Sequence, residues 1–155
     1  MWLTGTAQTA MHAVVCIAEH GAEAPITVAD VAARLDVPRN YLSKTLHQLA
    51  REGVLEAVRG PRGGFRLARP AERLTLAAIV APLVNRVQPR CLLGRTACRD
   101  DNPCPAHGQW SVIRGSFEAF LAETTIADLL PYPPPTMPTA PSRPKEVAHV
   151  PARPG

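Results

Sequence analysis

Residues 38–68, PRNYLSKTLHQLAREGVLEAVRGPRGGFRLA, decide the fold. Proline at 38 is tolerated where a helix begins, since its missing N–H has no partner there, and Gly53 supplies a stop. Between them Leu42, Leu46 and Leu49 recur at helical spacing and predict one buried face. Arg39, Asn40, Tyr41, Ser43, Lys44, His47 and Arg51 are left to meet something outside. The next residues change period: Val54–Arg59 and Phe65–Ala68 read as two short strands around the turn GPRGG at 60–64. A hairpin with Arg59, Arg62 and Arg66 near its tip, and Gly63 and Gly64 beside them, could approach a polyanion closely, because glycine offers no side chain to clash.

Working outward toward the N-terminus, Thr27 with Asp30 three residues on forms a capping-box-like start for a short helix carrying Val28, Val31, Ala32 and Leu35. Asp36 and Val37 then make the turn into the helix after Pro38. Leu3, Ala7, Ala10, Met11, Val14, Val15, Ile17 and Ala18 describe an earlier helix that ends at His20 and Gly21, where glycine is predicted in the left-handed cap conformation. The order helix, helix, turn, helix, hairpin is that of a mainly α winged helix-turn-helix with a two-stranded wing. Charge agrees. The chain has a net charge of +4, and from Arg34 to Arg73 nine Lys/Arg face four Asp/Glu, so the excess sits in the unit expected to meet DNA. Arg39, Asn40, Tyr41, Ser43, Lys44, His47, Arg59, Arg62, Gly63 and Gly64 are the candidate DNA contacts.

Toward the C-terminus, Thr75 caps a helix expected over 76–85, with Pro82 ending or kinking it near Ala81. From Gln109 to Leu130 the residues Trp110, Val112, Ile113, Phe117, Phe120, Leu121, Ile126, Leu129 and Leu130 predict one long amphipathic helix with no globular domain after it to cover it. A second subunit is the expected cover, giving a homodimer on a palindromic operator of double-stranded DNA. From Pro131 nine of 25 residues are proline, which predicts a disordered tail. The expected organisation is a DNA-binding domain over 1–85, a ligand loop and dimerisation helix over 86–130, and the tail over 131–155.

Between the two units lie Cys91, Cys98 and Cys104 with His107, spaced C-x6-C-x5-C-x2-H. Thiolates with an imidazole are soft ligands suited to zinc or an iron–sulfur cluster, and the spacing is looser than the C-x2-C knuckles of structural zinc. The stretch has Gly94, Pro103, Pro105 and the polar run Arg99–Asn102 and shows no periodicity, so something other than an apolar core must organise it. A structural zinc or a bare thiol switch are the alternatives. A disulfide framework fits worse, because three cysteines leave one unpaired. Cys16, between Val15 and Ile17, reads as packing.

No Gly-rich nucleotide loop, nucleophile elbow or H-E-x-x-H motif points to an enzyme. No apolar run is long enough to span a membrane, and the first Lys or Arg is Arg34, so the basic start of a secretory signal is missing. A cytoplasmic protein is expected.

The stretches LTGTAQTAMHAVVCIAEHG, NYLSKTLHQLAREGVLEAVRGPRGGFRLARP and AFLAETTIADLL, with the three-cysteine loop, resemble the IscR, NsrR and RirA family of winged-helix iron–sulfur regulators over roughly residues 1 to 130. The resemblance implies a homodimeric transcriptional regulator in which the cysteines hold a cluster near the partner's first helix. The cluster's state, responding to iron, nitric oxide or redox conditions, then sets operator affinity. NsrR-like members use an aspartate at the position of Gln8, a poor iron ligand. The ending Cys104 to His107 resembles the IscR arrangement, which implies a 2Fe-2S cluster with His107 as fourth ligand; 4Fe-4S is the second possibility, and His12 or an exogenous ligand the other candidates for the fourth site.

Overall fold

In the computed structural model, which describes residues 3–21, 23–84, 91–95 and 98–131, the first helix, α1, spans Gly5–His20. Thr4 caps it, its Oγ1 accepting from the Ala7 N–H at 3.2 Å, and Ala7, Ala10, Ala13, Val14 and Ile17 are fully buried. The stop at Gly21 has a different cause from the expected one. Its φ is −98°, not left-handed, yet a Cβ there would lie 2.5 Å from the Ile17 carbonyl oxygen that accepts the Gly21 N–H. Glycine provides room at this position, not handedness.

α2 spans Val28–Leu35 and bears out its capping signal: the Asp30 N–H donates to Thr27 Oγ1 at 3.2 Å, while the Thr27 hydroxyl donates to Asp30 Oδ2 at 2.7 Å. Asp36 takes the left-handed conformation, φ 51°, and turns the chain into α3, Arg39–Arg51. Pro38 is the residue before the first helical one, a shift of one position. The helix ends on Gly53 at φ 71°, where the Gly53 N–H reaches the Ala50 carbonyl and the Val54 N–H the Leu49 carbonyl, the paired bonds of a Schellman motif. Leu42, Leu46 and Leu49 are completely buried, each contributing about 1.5–3 kcal/mol relative to exposure.

The wing is the antiparallel pair β1, Leu55–Val58, and β2, Gly64–Leu67, in register Leu55 with Leu67 and Val58 with Gly64. A contact that periodicity does not announce fixes its base. Ile26 and Phe65 exchange both backbone hydrogen bonds, at 3.0 and 2.8 Å, so the segment before α2 lies along β2. Gly64 is needed there, because a Cβ would fall 2.3 Å from the Ile26 carbonyl oxygen. Arg66 is not part of the tip: it makes a bidentate pair with Glu56 across the hairpin, at 2.9 and 3.0 Å.

α4 spans Leu76–Val80, capped by Thr75 and closed at Ala81 ahead of Pro82, as expected. The last helix, α5, runs His107–Glu123 instead of Gln109–Leu130. Three β-branched residues, Thr124, Thr125 and Ile126, follow it, and Thr125 and Asp128 bond reciprocally to start a separate 3-10 turn at Ala127–Leu129. The chain there returns to the segment before α4, with the Leu76 N–H on the Thr124 carbonyl and the Ile126 N–H on the Leu74 carbonyl. Extended pairing thus replaces the final turns of the expected helix. Residues of α1 to α4 and both strands, joined by Leu121 and Ile126, form one core, and Cys16 packs within it as expected. Among the described residues no helix is long and apolar enough to cross a membrane. The expected 85/86 boundary and the tail over 132–155 lie outside the described residues.

Candidate metal centre and nucleic-acid interface

The segment from Cys91 to α5 is held by short turns. The Gly94 N–H donates to the Cys91 carbonyl with Gly94 at φ 69°, Arg99 and Asn102 exchange backbone bonds, and the His107 N–H donates to the Cys104 carbonyl as α5 begins. These turns gather the three thiols. Cys91, Cys98 and Cys104 are each no more than 5% exposed, and their sulfurs lie within 4.8 Å of one another. They form a buried cluster of their own, with Ala106 the only apolar residue packed against it among the described residues. Cys91 Sγ and Cys104 Sγ are 3.7 Å apart, too far for a disulfide of about 2.05 Å. The spacing is about that of two sulfurs on one tetrahedral metal with bonds of about 2.3 Å. The donor set therefore fits a thiolate-bound metal group.

Electrostatics favours the same use. Burial raises Cys91, but backbone hydrogen bonds at Arg95 and Leu93, and then the thiols of Cys104 and Cys98, outweigh it and bring the thiol down to about 7. At Cys98 a backbone bond at Cys104 lowers the value, yet burial and the neighbouring thiols of Cys104 and Cys91 together raise it. One thiol of the set is thus ready to ionise while a neighbour holds its proton. The first turn of α5 carries no acidic side chain, so the positive end of that helix is left to favour anionic sulfur next to it.

His107, the first residue of α5, places Nδ1 3.2 Å from Cys98 Sγ and Nε2 2.8 Å from Asp100 Oδ1. The structure thus brings the thiols of Cys91, Cys98 and Cys104 together and sets His107 against one of them, Cys98. It adds Asp100, which looked like one of several solvated polar residues. His12 is exposed in the middle of α1, and the structure does not bring it to the thiols of its own chain.

In the helix-turn-helix, Arg39, Asn40, Tyr41, Lys44, His47 and Arg51 of α3 are exposed and Ser43 is half-buried. Two of them have structural attachments. The Tyr41 hydroxyl donates to Thr6 Oγ1 at 2.9 Å, which ties the start of α3 to α1. His47 bonds through Nδ1 to the Ser43 carbonyl at 2.8 Å and sets its ring edge-on to Phe65 of the wing, with centroids 5.2 Å apart. A further link joins this helix to the approach to the cysteine segment: Gln48 Nε2 donates to the Pro82 carbonyl at 2.7 Å. In the wing the Gly63 N–H closes a turn on the Gly60 carbonyl, with Arg62 inside the turn and Arg59 at its base, both exposed. Gly63 is required by the turn itself, since a Cβ would lie 2.4 Å from the Val58 carbonyl oxygen.

Comparison with known proteins shows the family and the fold. Residues 3–132 match the model of the Rrf2 family, described as an iron-dependent transcriptional regulator. The regulator IscR of Yersinia pseudotuberculosis is 28% identical over 130 residues, covering 84% of this chain and 79% of its own. Two solved structures share the fold: CymR, the global cysteine regulator of B. subtilis, with TM-score 0.69 at 20% identity over 82% of this chain and 94% of that one, and IscR of T. potens, with TM-score 0.68 at 23% identity over 83% and 85%.

Proposed function

Because the chain belongs to the Rrf2 family, whose members are transcriptional regulators and not enzymes, we propose that it is a cytoplasmic DNA-binding regulator whose operator affinity depends on an iron–sulfur cluster held by Cys91, Cys98 and Cys104. The observation that carries this reading is the group of three buried thiols within 4.8 Å, in a segment whose only buried cluster among the described residues is those thiols. His107 completes the set beside Cys98, consistent with a 2Fe-2S cluster of three thiolates and one imidazole; a 4Fe-4S cluster would use the same thiols. When bound, the group supplies reactivity toward iron supply, nitric oxide or oxidants.

The protein's own residues convert that state into DNA affinity. Arg39, Asn40, Ser43 and Lys44 at the start of α3 meet base edges in the major groove, Tyr41 and His47 flank them, and Arg59 and Arg62, with Gly63 and Gly64 keeping the wing close, meet phosphates. Val112, Ile113 and Phe120 on α5, between 52% and 69% exposed, are the surface for a second copy, which places two recognition helices on a palindromic operator. Anaerobic visible and Mössbauer spectra with iron and sulfide analysis test the reading. Equimolar iron and sulfide is the expected result, and a colourless protein with stoichiometric zinc overturns it in favour of a structural metal.

A second reading has its own support. Cys91, brought down to about 7 and 3.7 Å from Cys104, is placed for a thiol switch that forms a disulfide between them without metal. Metal-free protein that binds DNA and loses or gains affinity reversibly with oxidation would establish it.

A further inference from the structure

Asp100 and Asp101 are neighbours in a polar run, chemically alike, and nothing in the sequence separates them. The turn does. Arg99 and Asn102 pair through their backbones, at 3.4 and 3.0 Å, and this presents the two carboxylates in different directions. Asp101 goes to Arg99, at 3.4 Å, with both side chains 73% exposed. Asp100 goes to His107: Oδ1 is 2.8 Å from Nε2, and the imidazole it meets is only 16% exposed.

We propose that Asp100 is the positioning carboxylate of the metal site, fixing which nitrogen of His107 is presented to the metal. The proposal rests on the reading that the three thiols and His107 hold a metal. An ionised carboxylate has no proton to give, so a hydrogen bond between it and Nε2 requires the proton on the imidazole. With Nε2–H donated to Asp100, the neutral ring carries its lone pair on Nδ1, and Nδ1 is the atom 3.2 Å from Cys98 Sγ. The outer carboxylate thus selects the tautomer, holds the ring plane and makes the inner nitrogen a better donor. Because Asp100 is fully exposed on a turn, removing it leaves no cavity, and the fold has no reason to change.

The test has one arm with metal and one without. In reduced, metal-free protein labelled with 15N at histidine, the imidazole shifts of His107 report the Nε2–H tautomer in the wild type and a mixture in Asp100→Ala, while Asp101→Ala matches the wild type. With Co(II) as probe, its thiolate charge-transfer band followed against a competing chelator, Asp100→Ala binds about 10–100-fold more weakly. Asp100→Asn, which keeps an acceptor oxygen, recovers part of the loss, and Asp101→Ala stays within twofold. An Nδ1–H tautomer in the wild type, or Asp100→Ala indistinguishable from Asp101→Ala in both arms while the wild type binds cobalt, overturns the role of Asp100 alone. Failure of the wild type to bind cobalt through its thiols overturns the metal reading, and this proposal with it.

Discussion

The winged unit and the cysteine segment are organised by opposite means. In the first, Leu42, Leu46, Leu49, Val31, Ile17 and Ile79 exclude water from one continuous core, and the charged residues are left on the outside. In the second the buried side chains are themselves the reactive groups, Cys91, Cys98 and Cys104, and the backbone around them is a series of turns with no long apolar side chain among the described residues to hold them shut. Leu92 and Leu93, which could have served, are 56% and 63% exposed. One region therefore keeps its shape whatever is bound, whereas the other depends on what its sulfurs hold. The proposed sensing role needs that division.

The strongest way to break this comparison is to remove a thiol. Cys91→Ala, Cys98→Ala or Cys104→Ala should each abolish bound iron and sulfide while leaving the cooperative thermal unfolding of the winged unit in place; Cys16→Ala should do the reverse, keeping the metal and lowering the melting temperature. Full metal content in any loop variant, or global unfolding in all three, would erase the distinction. Next in size, Leu46→Ala opens a cavity in the core and should cost about 2–5 kcal/mol in denaturant unfolding. If the regions are separately organised, the loss appears in the unfolding midpoint of metal-free protein as well.

A smaller effect sharpens the chemistry of the second region. In reduced metal-free protein at pH 7 about half of Cys91 should be thiolate, since its folded value lies near 7, below the ordinary thiol value of 9. Alkylation at Cys91 should fall about tenfold per unit as pH drops below 7 and level off above it, because only the thiolate attacks. Cys98 and Cys16, both raised, should label more slowly at the same pH, as read by peptide mass spectrometry. Equal labelling of the three would remove the asymmetry. The least effect is expected outside both regions' interiors. Arg62→Ala should weaken binding to every DNA sequence alike and reduce the salt slope by about 1, as one phosphate contact requires. Altered sequence preference with an unchanged slope would move Arg62 to base reading.

Legibility followed the same division. Helical spacing exposes Leu42, Leu46 and Leu49, a threonine three residues before an aspartate exposes the start of α2, and Pro82 marks where α4 must stop; all are local signals. The gathering of the three thiols is legible too, because Cys91, Cys98 and Cys104 fall in one short aperiodic stretch. What escaped depends on pairing between distant segments. Ile26 against Phe65 and Leu74 against Ile126 are backbone contacts that leave no periodic trace, and the second of these ends α5 seven residues before Leu130. Sequence alone groups Arg66 with the wing tip, because its cross-strand partner, Glu56, is known only once the register is fixed. At Gly21 a glycine after a helix signals either handedness or crowding, and only the structure, with φ at −98°, says which.

The clamp at the base of the wing has an entropic consequence. A hairpin tethered at one end would sample many orientations, and a DNA duplex would have to select one, giving up binding free energy to order it. Here β2 is fastened along Ile26 by two backbone bonds, with Gly64 so close to that carbonyl that no side chain can intervene, and Val54, just ahead of β1, is locked to the end of α3. The freedom of the wing is therefore spent when the chain folds, and only the few residues of the turn around Arg62 remain to be ordered by the groove.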